Sequence, residues 1–385
     1  MMKRILLPLL LLLSWNTVYT QTASELVNLG KNAEKLGLFD RAKDYYSQAI
    51  NSDPEDAQPL ICLGKLQMKT YNYSHAALNL RKAVDINPNS PEAVENLVYC
   101  YIENADFDGS KSGHFSSVDT LISLAERSIE LNPKSAVSLS NIALIYNHLN
   151  NYTNALSWAK KALAIDEKST RAHNTIGVIF YNRGNDSEAL SHFRKTLEID
   201  PDNVDAYFNL GVMYTQRNNY ETAISYLKKG LQRDRKSIKL FYYLGIAYIQ
   251  RGDDGKAIQC YEAIIDIDSM YVPAYNQIGA IYGKKGNYDE AVAYHQKASR
   301  IDPNDVESYK CLGKVYTDKG DFPKALRSYQ KAVAINDKDH ETYCLIAKLY
   351  AKQGNSSRET ASYKKAAKLG NKEAQAWMVS KGMAW

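Results

Sequence analysis

A 34-residue period is the feature of this 385-residue sequence that most constrains its fold. Sliding the chain against itself aligns "GLFDRAKDYYSQAINSDP" from Gly37 with "GNYDEAVAYHQKASRIDP" from Gly286 and "GDFPKALRSYQKAVAIN" from Gly320. Each stretch has a glycine, aromatic residues and two alanines in the same order. Periods of this length are typical of stacked supersecondary units, none of which can bury its apolar face alone. The sequence therefore predicts an array of units and not a single globular core.

The repeat register places ten units between residues 23 and 371. Eight of the nine steps between units are 34 residues long, whereas the third unit carries eleven extra residues, at about 104–117, which we expect to form a surface loop. A docking or specificity role for this insertion is the alternative. The predicted bounds are 23–56, 57–90, 91–135, 136–169, 170–203, 204–237, 238–271, 272–305, 306–339 and 340–371. We expect residues 372–385 to form a capping helix and tail, because the last unit of such an array needs a cover.

Small residues recur at fixed positions of the unit. Position 20 is alanine in most units, and Pro54, Pro88, Pro133, Pro201 and Pro303 stand at position 32. Position 8 is glycine at Gly30, Gly64, Gly177, Gly211, Gly245, Gly279 and Gly313. Two helices can cross closely only where their side chains are small, and proline ends a helix. The pattern predicts an all-α fold made of stacked antiparallel helix hairpins.

The same positions resemble the tetratricopeptide repeat (TPR) family. Its marked residues are Leu-Gly at positions 7 and 8, Tyr at 11, Ala at 20 and 27, and an aromatic residue at 24. Leu210, Gly211 and Tyr214 match in one unit, and Tyr329 and Ala332 match in another. The resemblance implies a right-handed superhelical α-solenoid that binds a protein or peptide in its concave groove.

The start of the chain has the pattern of a secretory signal peptide. Lys3 and Arg4 precede an apolar run from Ile5 to Trp15, which is short for a membrane span of about 20 residues. We expect residues 1–20 to be cleaved, leaving an exported periplasmic or extracellular protein with no stable membrane span; a retained anchor is the alternative. Without these two cations the formal net charge falls from +5 to +3, too balanced to indicate a nucleic-acid partner.

The sequence shows no arrangement of catalytic or metal-binding residues. It contains no HExxH, no Gly-rich phosphate loop and no GxSxG elbow. Its five cysteines are an odd number without a CxxC pair, and its seven histidines occupy unrelated repeat positions. We therefore predict a noncatalytic protein without cofactor or metal.

The resemblance places the binding surface on the first helix of each unit, at positions 2, 5, 9, 12 and 13. Large apolar groups beside amides at these positions suit a peptide segment. The predicted groove residues are Ser140, Leu144, Asn147, Asn174, Val178, Tyr181, Asn182, Phe208, Val212, Thr215, Tyr242, Ile246, Ile249 and Asn276. The alternatives are that the apolar members only pack against neighbouring helices, that the protein binds carbohydrate or the cell envelope, or that it is an accessory subunit that regulates an enzyme complex.

Overall fold

The computed structural model describes residues 21–70, 72–104 and 118–385. Throughout these ranges the backbone is α-helix joined by short turns, without a strand. The proposed signal peptide and the third-unit insertion fall outside the described residues. No helix in the described ranges combines the length and the apolar composition that a bilayer crossing requires.

In the described ranges, helices of 13 or 14 residues alternate with turns of a few residues, and one shorter helix follows them. In chain order they are α1 (Ala23–Lys35), α2 (Phe39–Ser52), α3 (Ala57–Lys69), α4 (Tyr73–Ile86), α5 (Pro91–Asn104), α6 (Val118–Leu131), α7 (Ala136–His148), α8 (Tyr152–Ile165), α9 (Thr170–Asn182), α10 (Asp186–Ile199), α11 (Val204–Gln216), α12 (Tyr220–Arg233), α13 (Ile238–Arg251), α14 (Asp254–Ile267), α15 (Val272–Lys284), α16 (Tyr288–Ile301), α17 (Val306–Lys319), α18 (Phe322–Ile335), α19 (His340–Lys352), α20 (Ser356–Lys368) and α21 (Lys372–Ser380).

The chain divides into two compact units, with the boundary after Ala206. In the first unit the largest fully buried side chains include Tyr46, Leu80 and Phe193. In the second unit they include Tyr261 and Tyr275. Each unit therefore has its own apolar interior, distributed between successive hairpins.

The hairpins close because a glycine on the first helix faces a large side chain on the second. A Cβ atom added to Gly245 would lie 2.6 Å from the Tyr261 ring, well inside van der Waals contact. The alanine at position 20 of the same hairpin, Ala257, is fully buried. The turn after α17 uses Gly320 at φ 82°, a left-handed conformation that side chains disfavour. The residues that the repeat holds constant are thus those that let the two helices touch.

Helix α21 covers the end of the second unit. Its Ala374 and Met378 are buried, and the Trp377 ring stacks on Tyr363 of α20 with 4.4 Å between centroids. This helix confirms the predicted cap, and the all-α solenoid of stacked helix hairpins is likewise confirmed.

Candidate functional site

In the first unit, the predicted groove residues lie on α7 and α9 and differ widely in exposure. Leu144 and Val178 are half-buried, as are Asn174 and Tyr181. Two further positions are amides: the exposed Asn182 donates from Nδ2 to Oδ1 of the buried Asn147 over 3.2 Å. This pair ties α9 to α7 and leaves a mixed apolar and amide surface.

In the second unit, aromatic rings gather where α11 meets α13. The Phe208 ring meets the Tyr243 ring edge-on, with 5.1 Å between centroids. Tyr242 stands edge-on to Tyr243, Tyr261 and Tyr271, at 6.0, 5.8 and 6.3 Å respectively. Edge-to-face contacts at these distances are favourable because a positive ring edge meets a negative ring face. We call these five residues the aromatic cluster.

Polar groups border the aromatic cluster. The Lys239 ammonium lies 4.9 Å from the centroid of the Phe208 ring, and the Gln277 amide donates to the Tyr242 hydroxyl over 3.1 Å. Burial raises the pKa of Tyr271 to about 12 and that of Tyr243 above its usual value. These phenols therefore stay neutral around physiological pH and can donate hydrogen bonds.

An aliphatic strip continues the surface from the aromatic cluster along the same two helices. Val212 lies one helical turn beyond Phe208 on α11, and Ile246 lies one turn beyond Tyr242 on α13, so each pair shares a helix face. Ile249 extends the strip by another turn. All five side chains are half-buried. We call Phe208, Val212, Tyr242, Ile246 and Ile249 the inner patch.

Three of the predicted hydroxyl and amide side chains are engaged inside the protein. The Ser140 hydroxyl donates to the Ala136 carbonyl over 2.7 Å, and Thr215 donates to the Gly211 carbonyl over 2.8 Å. Both bonds lie within one helix. Asn276 is 9% exposed, and its amide belongs to a buried polar group. These side chains therefore lie behind the surface and not on it.

The buried polar group around Asn276 links α15, α16 and α17. Asn276 Nδ2 donates to Asp305 Oδ2 and Ser308 Oγ, both over 3.0 Å, and its Oδ1 lies 3.0 Å from Nδ1 of His295. His295 is 1% exposed, and burial lowers its pKa to about 4. The imidazole is consequently neutral near pH 7, and with Nδ1 protonated it donates to Asn276. The group has a structural role, holding neighbouring hairpins in register.

Sequence reasoning missed four residues of the second-unit surface: Tyr243, Tyr271, Lys239 and Gln277. Tyr243 and Gln277 both stand at position 6 of their units, which the expected groove positions omit. Lys239 stands at position 2, which they include. The signal that could have identified Tyr243 is the aromatic pair Tyr242 and Tyr243 at positions 5 and 6 of one repeat. Two adjacent rings on one helix point in different directions and therefore contact different neighbouring helices.

The described residues offer little for catalysis. They contain no group of three or more His, Cys, Asp or Glu side chains able to hold a metal ion. All five cysteines are free, and burial raises the thiol pKa of Cys260 and Cys311 to about 12, which keeps them protonated and weakly nucleophilic. The surface of half-buried apolar side chains, phenols and amides suits binding.

The fold and surface define a class of helix-hairpin solenoid proteins, and family models specify which class. A TPR repeat model matches residues 177–214, 245–286 and 313–354. Tetratricopeptide repeat models match residues 26–56, 135–168, 204–237, 272–305 and 340–372. Together they cover more than half of the sequence. The chain belongs to the tetratricopeptide repeat family, and its scaffold is one suited to protein–protein interaction.

Solved structures share the fold at low sequence identity. The Cut9–Hcn1 hetero-tetramer of the APC/C aligns with a TM-score of 0.59 at 18% identity, covering 80% of this chain and 59% of that one. Yeast Tom70 aligns with a TM-score of 0.53 at 13% identity, covering 94% of both chains. These likenesses show the fold alone.

A short stretch also resembles a curated bacterial protein. The sol locus transcriptional repressor of Clostridium acetobutylicum is 27% identical over 96 residues. The match takes in 25% of this chain and spans only 28% of the repressor's length.

Proposed function

We propose that this protein is a noncatalytic scaffold that binds an extended or short helical protein segment through the inner patch of its second unit. The observation that carries the proposal is the inner patch itself. Its five half-buried side chains lie on one face of α11 and one face of α13, and two of them, Phe208 and Tyr242, belong to the aromatic cluster. A bound segment would remove their remaining apolar surface from water, which contributes about 25 cal/mol per Å².

The groups around the inner patch favour a peptide ligand. An apolar side chain of the segment would pack on Ile246 and Val212, and the phenol of Tyr242 offers a hydrogen bond to a backbone carbonyl. The Lys239 ammonium, beside Phe208, favours an acidic residue in the segment. Aromatic anchors of this type carry a large share of the energy of peptide interfaces.

A random 12-residue peptide library displayed on phage, selected against the protein without residues 1–20, tests the proposal. We expect enriched peptides to bind with micromolar dissociation constants, about -8 kcal/mol. The double variant Phe208→Ala and Tyr242→Ala should weaken them by about 2 to 4 kcal/mol, because each truncated anchor typically costs 1 to 2 kcal/mol or more.

Tyr220→Ala is the matched control. Tyr220 is another half-buried aromatic residue of the second unit. It is the first residue of α12, the second helix of its hairpin, and its hydroxyl donates to Asn218. The control should leave peptide affinity unchanged, and both variants should keep the far-ultraviolet circular dichroism of the unaltered protein. Equal peptide affinity in the double variant would refute the assignment of the inner patch.

Carbohydrate is the second candidate ligand. The observation that favours it is the Gln277 amide bonded to the Tyr242 hydroxyl, because amides bond sugar hydroxyls and an aromatic ring stacks on a sugar face. A glycan array probed with the same variants separates the two functions. Binding of glycans that depends on Tyr242, with no enriched peptide, would establish the carbohydrate function.

We also propose that the protein is exported, on the evidence of the charged and apolar pattern of residues 1–20. Expression of the full chain in a secreting host, followed by N-terminal sequencing of the product, tests this. The proposal expects a mature protein that starts near Gln21, outside the cytoplasm. An uncleaved cytoplasmic product would contradict it.

A further inference from the structure

A ring stack recurs between the two helices of several hairpins. The residue at repeat position 11, on the first helix, and the residue at repeat position 23, on the second helix, lie face to face. Tyr214 and Tyr226 are 5.7 Å apart with 8° between ring planes, and Tyr282 and Tyr294 are 5.7 Å apart with 13°. The second ring of each pair thus covers one face of the first.

The hairpin of α17 and α18 lacks the second ring. Tyr316 stands at position 11, but position 23 is Ser328, whose hydroxyl donates to the Lys324 carbonyl of its own helix over 2.9 Å. A cleft of about 510 Å³ opens at this place, lined by Tyr316 and Ser328 and floored by Tyr309 and Leu312. This is a volume typical of small-molecule sites.

The cleft is bordered by cations. Lys324, Arg327 and Lys331 all line it, and no carboxylate is among its lining residues in the described chain. Lys324 is paired with Asp321 over 2.8 Å, whereas Arg327 and Lys331 form no ion pair with the described residues. The Lys331 ammonium lies 4.9 Å from the centroid of the Tyr309 ring, at the wall of the cleft. Arg327 and Lys331 therefore border the cleft without an ion-pair partner among the described residues.

The preceding hairpin lacks this combination, whereas the following one also has a tyrosine at position 11 and a serine at position 23, Tyr350 and Ser362. At the positions of Lys324, Arg327 and Ser328, the hairpin of α15 and α16 has Glu290, Ala293 and Tyr294. There the ring stack is complete, Glu290 replaces Lys324 and Ala293 replaces Arg327, and only Lys297, at the position of Lys331, remains as a cation.

We propose that this cleft binds a small planar aromatic anion, whose ring stacks on Tyr316 where other hairpins place their own tyrosine and whose carboxylate or phosphate pairs with Arg327 and Lys331. Stacking on a tyrosine face and a charge-assisted bond to a guanidinium are mutually compatible here, because the cations border the same opening. This site is separate from the inner patch, since it is formed by α16, α17 and α18.

Calorimetric titration of the protein with 2-naphthoate and with 1-naphthyl phosphate tests the proposal and distinguishes the two anion types. At least one probe should bind below about 1 mM, within the range accessible to a ligand of this size. The uncharged 2-naphthylmethanol and inorganic phosphate, which lack the anion and the ring respectively, should each bind at least about tenfold more weakly, a factor that stacking or one charged hydrogen bond can supply.

Ser328→Tyr is the decisive variant, because it supplies the ring that Tyr226 and Tyr294 supply at this position of their hairpins. It should reduce binding of the charged probe at least about tenfold while the helical circular dichroism is kept. Arg327→Gln with Lys331→Gln changes two exposed side chains and tests the anion contacts, even if the tyrosine variant fails to fold. Tyr294→Ser is the matched control: combined with Ser328→Tyr, it opens the preceding stack beside Glu290 and should not recover binding.

Three results would overturn the proposal. The first is that neither aromatic anion binds at millimolar concentration. The second is that the Ser328→Tyr variant and the Arg327→Gln, Lys331→Gln variant both bind the probe as the unaltered protein does. The third is that adding Tyr294→Ser to Ser328→Tyr recovers binding. The double variant of Phe208 and Tyr242 should leave naphthoate binding intact, so this proposal and the peptide-binding function can fail separately.

Discussion

At the scale of single residues, the small side chains decide how closely two helices approach. Gly245 lies under the Tyr261 ring, and a methyl group at this position would overlap that ring. Gly255, by contrast, lies within α14 with nothing within 4 Å of the place that its Cβ would take. The two glycines of the same hairpin therefore have opposite consequences when they are replaced.

Gly245→Ala should destabilise the second unit by about 1 to 3 kcal/mol, because the added methyl group forces the Tyr261 ring out of its place. Gly255→Ala should be neutral or stabilising by up to about 1 kcal/mol, because alanine favours a helix where space is free. Urea unfolding followed by circular dichroism at 222 nm measures both. A Gly245→Ala protein as stable as the Gly255→Ala protein would contradict the packing described for this hairpin.

His295 gives the second unit a pH-dependent stability. A histidine in the unfolded chain has a pKa of about 6.5, whereas burial lowers the folded value to about 4. Above pH 6.5 both states are neutral and folding carries no protonation penalty. As pH falls from 6.5 to 4 only the unfolded state takes up the proton, so stability is lost across that window, by up to about 3 kcal/mol.

His295→Phe removes this titration and keeps a ring at a position where another hairpin has Phe193. The difference in unfolding free energy between the unaltered protein and this variant should shrink or change sign as pH is lowered from 7 to 4.5. A pH-independent difference for His295→Phe would show that the histidine does not titrate as described.

The residue scale also shows where sequence reasoning stops. A repeat position specifies the helix face of a side chain, but not its hydrogen-bond partner. The hydroxyl of Thr215 satisfies a carbonyl of its own helix, and Asn276 is occupied by His295 and Asp305 from other helices. His295 and Asn276 stand at positions 24 and 5 of the same repeat, and the repeat register alone does not show that their side chains meet.

At the scale of secondary-structure elements, the helix hairpin is the repeating element, and α21 is the helix that covers the last hairpin. Helix α20 presents Tyr363, Ala366 and Ala367, all buried, and α21 is the element that follows them. The glycines, alanines and prolines of the repeat predicted the hairpin fold from the sequence, because they set how closely two helices approach and where a helix ends. The closing helix was predictable because the last unit of such an array needs a cover.

Trp377→Ala should loosen the last hairpin, because it removes the ring that stacks on Tyr363 at 4.4 Å. The expected loss is about 2 kcal/mol, below the 3 to 5 kcal/mol typical of a fully buried tryptophan, since Trp377 is half-buried. Hydrogen exchange of the α19 and α20 amides should become faster. Trp385→Ala, which truncates an exposed tryptophan 43% accessible to solvent, is the control and should leave that exchange unchanged.

At the scale of the whole molecule, the sequence predicted the all-α solenoid and the family because the same signal recurs along the chain. The functional surface is less predictable, because it depends on departures from the repeat. The aromatic cluster arises where the repeat has two adjacent aromatic residues, Tyr242 and Tyr243, and the cleft arises where Ser328 replaces the tyrosine of the preceding repeat. The contact of Phe208 with Tyr243 joins two successive 34-residue repeats. Its geometry depends on how the two side chains pack, which the repeat period does not describe.

The central claim is that the inner patch binds a protein segment, and hydrogen–deuterium exchange of the second unit with a selected peptide tests it most directly. Binding at the inner patch predicts slower exchange for amides of α11 and α13, with α12 and α14 little changed. Slower exchange confined to α12 and α14, or spread evenly over all four helices, would contradict the claim.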